Sequence, residues 1–220
     1  MLQRRNLSLT FLDSPPVEPE NAPLLLMLHG YGSNEKDLMQ LSPMLNRGMR
    51  YISARAPFSL DFGMYGWFPI EFTPNGITVD YDAAAAAREK LIGFIREIIE
   101  EFRPPGGKVY LMGFSQGTVM CYLTAFQAPE LLYGVIALSG QLPEKSLPAE
   151  LKHELQELPF LVMHGIYDDI LPIAKGRQSN EWLKGNVRDL VYREYPVAHQ
   201  ISEDGIALIR SWLAEKVSAS

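Results

Sequence analysis

The 220-residue chain contains one cysteine, Cys121, so no disulfide within the chain can staple it. A reducing compartment is the expectation, and with it a cytoplasmic location. Long apolar runs are missing as well. The longest, Leu24 to Leu28, falls far short of the ~20 residues that cross a bilayer as a helix. Met1-Leu2-Gln3-Arg4-Arg5 has no apolar stretch behind its arginines, so it does not read as a secretory signal. Basic residues are the minority charge: 20 Lys and Arg against 26 Asp and Glu give a net charge of −6. With no clustered basic run, nucleic acid is not an expected partner. Repeats, low-complexity tracts and interdomain linkers are also missing. A single domain over 1–220 is therefore expected, and a hydrophobic content of 47% suits a sizeable core.

Strand-like and helix-like segments alternate. Leu7 to Leu12 reads as an edge strand, Leu24 to His29 as a strand buried on both faces, and Arg50 to Ala54 as a further short strand. Glu35 to Leu45 suggests a helix capped by Ser33 or Asn34. Tyr81 to Phe102 is the strongest helix, with Asp80 or Asp82 at its start and Pro104-Pro105-Gly106-Gly107 beyond its end. Gly134 to Leu138, Phe160 to Met163 and Leu190 to Tyr195 are strand candidates; Ile173 to Leu183 and Gly205 to Val217 are helix candidates. Pro57 to Val79 has no clear period and reads as one long loop, rich in aromatics. The alternation predicts an α/β fold with a mostly parallel sheet covered by helices on both faces. In such a sheet, sites lie at the carboxyl ends of the strands.

The densest chemical signal is Gly113-Phe114-Ser115-Gln116-Gly117, between the apolar Val109 to Met112 and a helix-compatible run from Thr118. In that context Gly-x-Ser-x-Gly is a nucleophile elbow, with the serine on a tight strand-to-helix turn. Glycines at 113 and 117 remove side chains that would collide as strand and helix approach. A serine hydroxyl is a weak nucleophile at neutral pH and needs a base, which needs an orienting acid. The order along the chain for this arrangement is Ser, then Asp or Glu, then His.

Four histidines are available. His29 precedes the serine, and His153 lies among charges on what reads as a solvated helix face. His164 ends a strand and leaves no room for an intervening acid. His199, after the last strand, has the required position. The acid falls in His164-Gly165-Ile166-Tyr167-Asp168-Asp169, where the residues alone leave Asp168 and Asp169 as alternatives. Acyl chemistry also needs N–H donors aimed at the developing oxyanion. The residue after the nucleophile, Gln116, supplies one. The turn Leu28-His29-Gly30-Tyr31-Gly32-Ser33 supplies the second at Tyr31.

Leu28-His29-Gly30-Tyr31-Gly32-Ser33-Asn34-Glu35, the Phe-Ser-Gln elbow, His164-Gly165-x-x-Asp168-x-x-x-Pro172 and the late His199 together resemble the phospholipase/carboxylesterase family of small α/β-hydrolases. The resemblance runs in order over almost the whole chain. It implies an α/β-hydrolase fold without a large lid domain and selects Asp168 as the acid. It further implies a serine hydrolase of carboxylic esters or thioesters that needs no metal or organic cofactor. The implied partner is a small-molecule acyl ester, with an acylated protein or a lysophospholipid as further options and a second copy of the chain as a homodimer. The resemblance sets the 57–79 segment beside the acyl pocket, where Trp67 and Phe68 are the expected substrate contacts. Thr118 departs from the family, which usually has a glycine there, and is expected to alter packing or the pocket floor.

Overall fold

The structure, a computed structural model, describes residues 2–18, 21–73 and 76–219; the side chains of 72–78, Phe72 among them, lie outside the description. Eight strands form one sheet: β1 (Gln3–Asn6), β2 (Thr10–Ser14), β3 (Leu24–Leu28), β4 (Arg50–Ala54), β5 (Val109–Phe114), β6 (Leu132–Leu138), β7 (Phe160–Gly165) and β8 (Leu190–Tyr195). Their order across the sheet is β1-β2-β4-β3-β5-β6-β7-β8. The β1–β2 and β2–β4 pairs are antiparallel and every later pair is parallel.

Helices α1 (Tyr81–Phe102), α2 (Gln116–Gln127), α3 (His153–Glu157), α4 (Ile173–Lys184) and α5 (Glu203–Ala219) cover the sheet. The side-chain period of two explains how. Leu24, Leu26 and Leu28 join Leu111 in a core with Phe94 and Ile98 of α1 and Met120 of α2. Leu25 and Met27 point the other way, with Tyr110 and Met112, toward Trp212 and Leu213 of α5. Apolar runs without polar alternation are what a strand buried on both faces requires.

Three expectations differ from the structure. Residues Leu38–Met44 form a 3₁₀ segment rather than an α-helix over 35–45, because Pro43 stands inside it and lacks the N–H an α-helix needs. The edge strand is β1, which the sequence reading missed, and it pairs with β2 where one strand was expected. The 57–79 loop contains two short antiparallel ribbons, Phe58–Ser59 with Tyr65–Gly66 and Ile70–Thr73 with Gly76–Val79.

Candidate active site

Each candidate residue lies in the connection, or the first helical turn, that follows the carboxyl end of a parallel strand, where the fold leaves a crevice. Ser115 follows β5 directly and has φ 55° and ψ −115°, a left-handed backbone that an L-residue occupies only under strain. The glycines on either side make that turn feasible. A Cβ at Gly113 would lie 2.3 Å from Gly117 O, and a Cβ at Gly117 would lie 2.1 Å from Leu28 O of the neighbouring strand. As the first residue of α2, Gln116 has an N–H with no intrahelical acceptor.

The acid and base meet across two loops. His199 Nδ1 lies 2.7 Å from Asp168 Oδ2, and the carboxylate is fully buried. Asp168 Oδ1 accepts from the N–H groups of Ile170 at 3.0 Å and Leu171 at 2.8 Å. Asp169 is exposed, so the backbone turn separates the two adjacent carboxylates. The loops are stitched together: Tyr167 N–H donates to Val197 O at 3.0 Å, and a Cβ at Gly165 would lie 2.3 Å from Ala198 O. The His199 ring also packs on Phe114, centroids 4.8 Å apart, one residue from Ser115.

His164, set aside as a base, stands against the acid. Its Nε2 lies 2.7 Å from Leu171 O, so it donates there, and 3.4 Å from Asp168 Oδ2. It thereby holds the turn whose N–H groups orient the carboxylate. The four-residue spacing from His164 to Asp168 was the only sequence signal of this.

Ser115, His199, Tyr31 and Gln116 line one open cleft of about 700 Å³. Phe68, Ile70, Val119, Leu123 and Leu142 make its apolar wall, while Lys145 and Lys175 stand at the rim. Phe68, one of the two expected substrate contacts, lines the cleft. Trp67 does not line the cleft. It is 2% exposed and faces inward, its indole Nε1–H donating to His29 O at 2.9 Å. Thr118 does not line the cleft either. Its hydroxyl bridges strand ends, 2.7 Å from Gly113 O and accepting from Leu138 N–H at 3.0 Å. Gly140 leaves the room, since a Cβ there would lie 2.3 Å from Thr118 Cβ.

The early loop is anchored from below. Ala56 N–H donates to His29 Nε2 at 3.1 Å, so the ring proton sits on Nδ1 and donates to Gly30 O at 2.7 Å. Burial lowers the His29 pKa below its ordinary value and keeps the imidazole neutral. Burial alone would raise the Glu35 carboxyl, but hydrogen bonds from Arg55 and Arg4 outweigh it and hold the group at about 2.

Strand order, elbow and loop placement together define an α/β-hydrolase fold. Solved structures agree: the Bacillus cereus carboxylesterase superposes with a TM-score of 0.83, at 19% identity and covering 96% of each chain. Esterase PE8 superposes with a TM-score of 0.81, at 26% identity, covering 97% of this chain and 98% of its own. The chain belongs to the phospholipase/carboxylesterase family, whose model matches residues 15–217. It is 34% identical over 148 residues to acyl-protein thioesterase 1 of Debaryomyces hansenii, covering 66% of this chain. The match spans 64% of that thioesterase, a little under two thirds of its length. Among the described residues no helix is long and apolar enough to cross a membrane.

Proposed function

We propose that the chain is a serine hydrolase of carboxylic esters or thioesters. The observation that carries this reading is the buried Asp168 carboxylate paired with His199, which lines an apolar cleft beside Ser115. Ser115 Oγ attacks the acyl carbon while His199 Nε2 takes its proton. Asp168 holds Nδ1–H and stabilises the imidazolium that forms. The N–H groups of Tyr31 and Gln116 receive the oxyanion. The tetrahedral adduct collapses, His199 returns the proton to the leaving alkoxide or thiolate, and an acyl-Ser115 ester remains. Water, deprotonated by His199, then releases the acid.

The acyl group lies along α2, over Val119 and Leu123, against Phe68, Ile70 and Leu142. Each methylene buried there contributes about 0.8 kcal/mol of binding. That apolar wall, with the thioesterase-named relative, favours a long acyl chain carried by a protein or a lysophospholipid over a short free ester. Palmitoyl esters should then be turned over with a higher kcat/KM than acetyl esters; the reverse order would favour a small-ester carboxylesterase.

A fluorophosphonate tests the chemistry. Wild type should be labelled on Ser115 and lose activity, and Ser115→Ala should resist labelling while remaining folded. Equal labelling of the two proteins would remove Ser115 from the role.

A further inference from the structure

Residues 65–68 touch both halves of the proposed oxyanion hole. Tyr65 grips the chain just past Tyr31: Gly32 N–H donates to Tyr65 O at 2.9 Å, and Tyr65 N–H donates to Ser33 O at 2.8 Å. Trp67 grips it just before Tyr31, through the indole N–H on His29 O. On the other side stands the Gln116 side chain. Its Oε1 accepts from Trp67 N–H at 2.8 Å, and its Nε2–H donates to Phe68 O at 2.8 Å. The amide thus pairs with the backbone of residues 67 and 68 as a neighbouring strand would. Between these grips lies Gly66, where a Cβ would stand 2.7 Å from Tyr31 Cδ2 and 3.4 Å from Gln116 Oε1. The segment fills the space between the two residues that carry the donors.

We propose that residues 65–68 are a brace that sets the spacing of the Tyr31 and Gln116 N–H groups, with the side chains of Trp67 and Gln116 as positioning residues. The inference rests on the oxyanion reading of those two N–H groups. It gives Trp67 a task that needs no contact with substrate. It also gives the glutamine of the Phe-Ser-Gln elbow two tasks, its N–H facing the oxyanion and its side chain fixing the opposite wall. Donors held in place before reaction favour the transition state over bound substrate, because the charge they meet develops only there.

Two variants separate this from a structural role. Trp67→Phe keeps the ring's packing and removes the bond to His29 O. Gln116→Leu keeps the backbone donor and removes both amide bonds. Each should lower kcat by roughly tenfold or more while KM moves by less than about twofold, since only transition-state contacts are disturbed. An alkylboronic acid, which adds to a serine hydroxyl to give a tetrahedral anion, should bind each variant more weakly by the same factor as the fall in kcat/KM. The proposal is overturned if kcat is unchanged, if the loss lies in KM alone, or if boronate affinity stays at the wild-type level. Thermal melting identifies a variant that fails to fold, and the more conservative Trp67→Phe then carries the test alone. Wild type that neither reacts with fluorophosphonate nor binds the boronic acid would instead sink the hydrolase reading, and the brace with it.

Discussion

Asp168 is satisfied on both oxygens, by two N–H groups on one and by His199 on the other. An amide in its place keeps the shape but can donate to His199, which turns the imidazole to the wrong tautomer. Asp168→Asn should therefore lower kcat by about 10⁴, the size seen when the acid of a serine triad is neutralised, with little change in KM. Steady-state kinetics on a chromogenic ester checks it, and a loss smaller than tenfold would remove Asp168 from the orienting role. The Asp168–His199 contact was readable because chain order discards His29 and His164 and its charged surroundings discard His153. Which of two adjacent aspartates turns inward was not readable from the residues alone, since that depends on a turn closed by Asp168 N–H on Gly165 O at 3.3 Å. Trp67 was misread for a related reason. A run of aromatics shows that apolar surface must be covered, but not whether a given ring faces a cleft or the core behind it.

At the level of elements, what could be read followed the strength of the local punctuation. Helix α1 has the boundaries its sequence predicts because Asp80 accepts from Ala83 N–H at 2.9 Å at one end. At the other end Arg103 adopts a left-handed conformation, φ 45°, before two prolines. Strand β1 was hidden because its side chains are mostly exposed and polar, which leaves no apolar alternation to see. The junction of β5, β6 and α2 was only half legible. The glycine pattern predicts the tight elbow, whereas the bridging hydroxyl of Thr118 is invisible to any motif. That hydroxyl is buried and adds a second link between Leu138 N–H and Gly113 O, which already face each other in the β5–β6 ladder. Thr118→Val keeps the shape and removes that link while the ladder acceptor stays. It should cost about 0.5–1.5 kcal/mol of unfolding free energy, read from urea denaturation, the net worth of a typical hydrogen bond. An unchanged midpoint would show that the hydroxyl adds nothing to the ladder.

Across the whole molecule, the Tyr31 loop is tied to the antiparallel edge of the sheet. Arg4 on β1 and Arg55 just past β4 converge on Glu35, which follows the Tyr31 loop and is 1% exposed. One buried carboxylate thus ties the first strand, the fourth strand and that loop together. Its pKa falls from 4.5 in a free side chain to about 2 in the fold. Below pH 4.5 the unfolded chain takes up a proton that the folded chain refuses. Stability should therefore drop as pH falls from 4.5 toward 2, by as much as about 3 kcal/mol in total. His29 acts in the same direction at higher pH. Burial lowers its pKa from 6.5, so the unfolded chain protonates first and stability begins to fall as pH drops below 6.5. Above pH 6.5 neither group contributes a slope. Unfolding free energies measured from pH 7 down to pH 3 should show a shallow decline that steepens below pH 4.5. Glu35→Gln should be less stable at pH 7, because Arg55 loses its carboxylate, and should weaken the steeper stage, to which Glu194, held below its ordinary value by Arg177, still contributes, while keeping the shallow one. If the variant kept the same slope below pH 4.5, the acid sensitivity would lie in other carboxylates, and the tie between the sheet edge and the Tyr31 loop would have to be sought elsewhere.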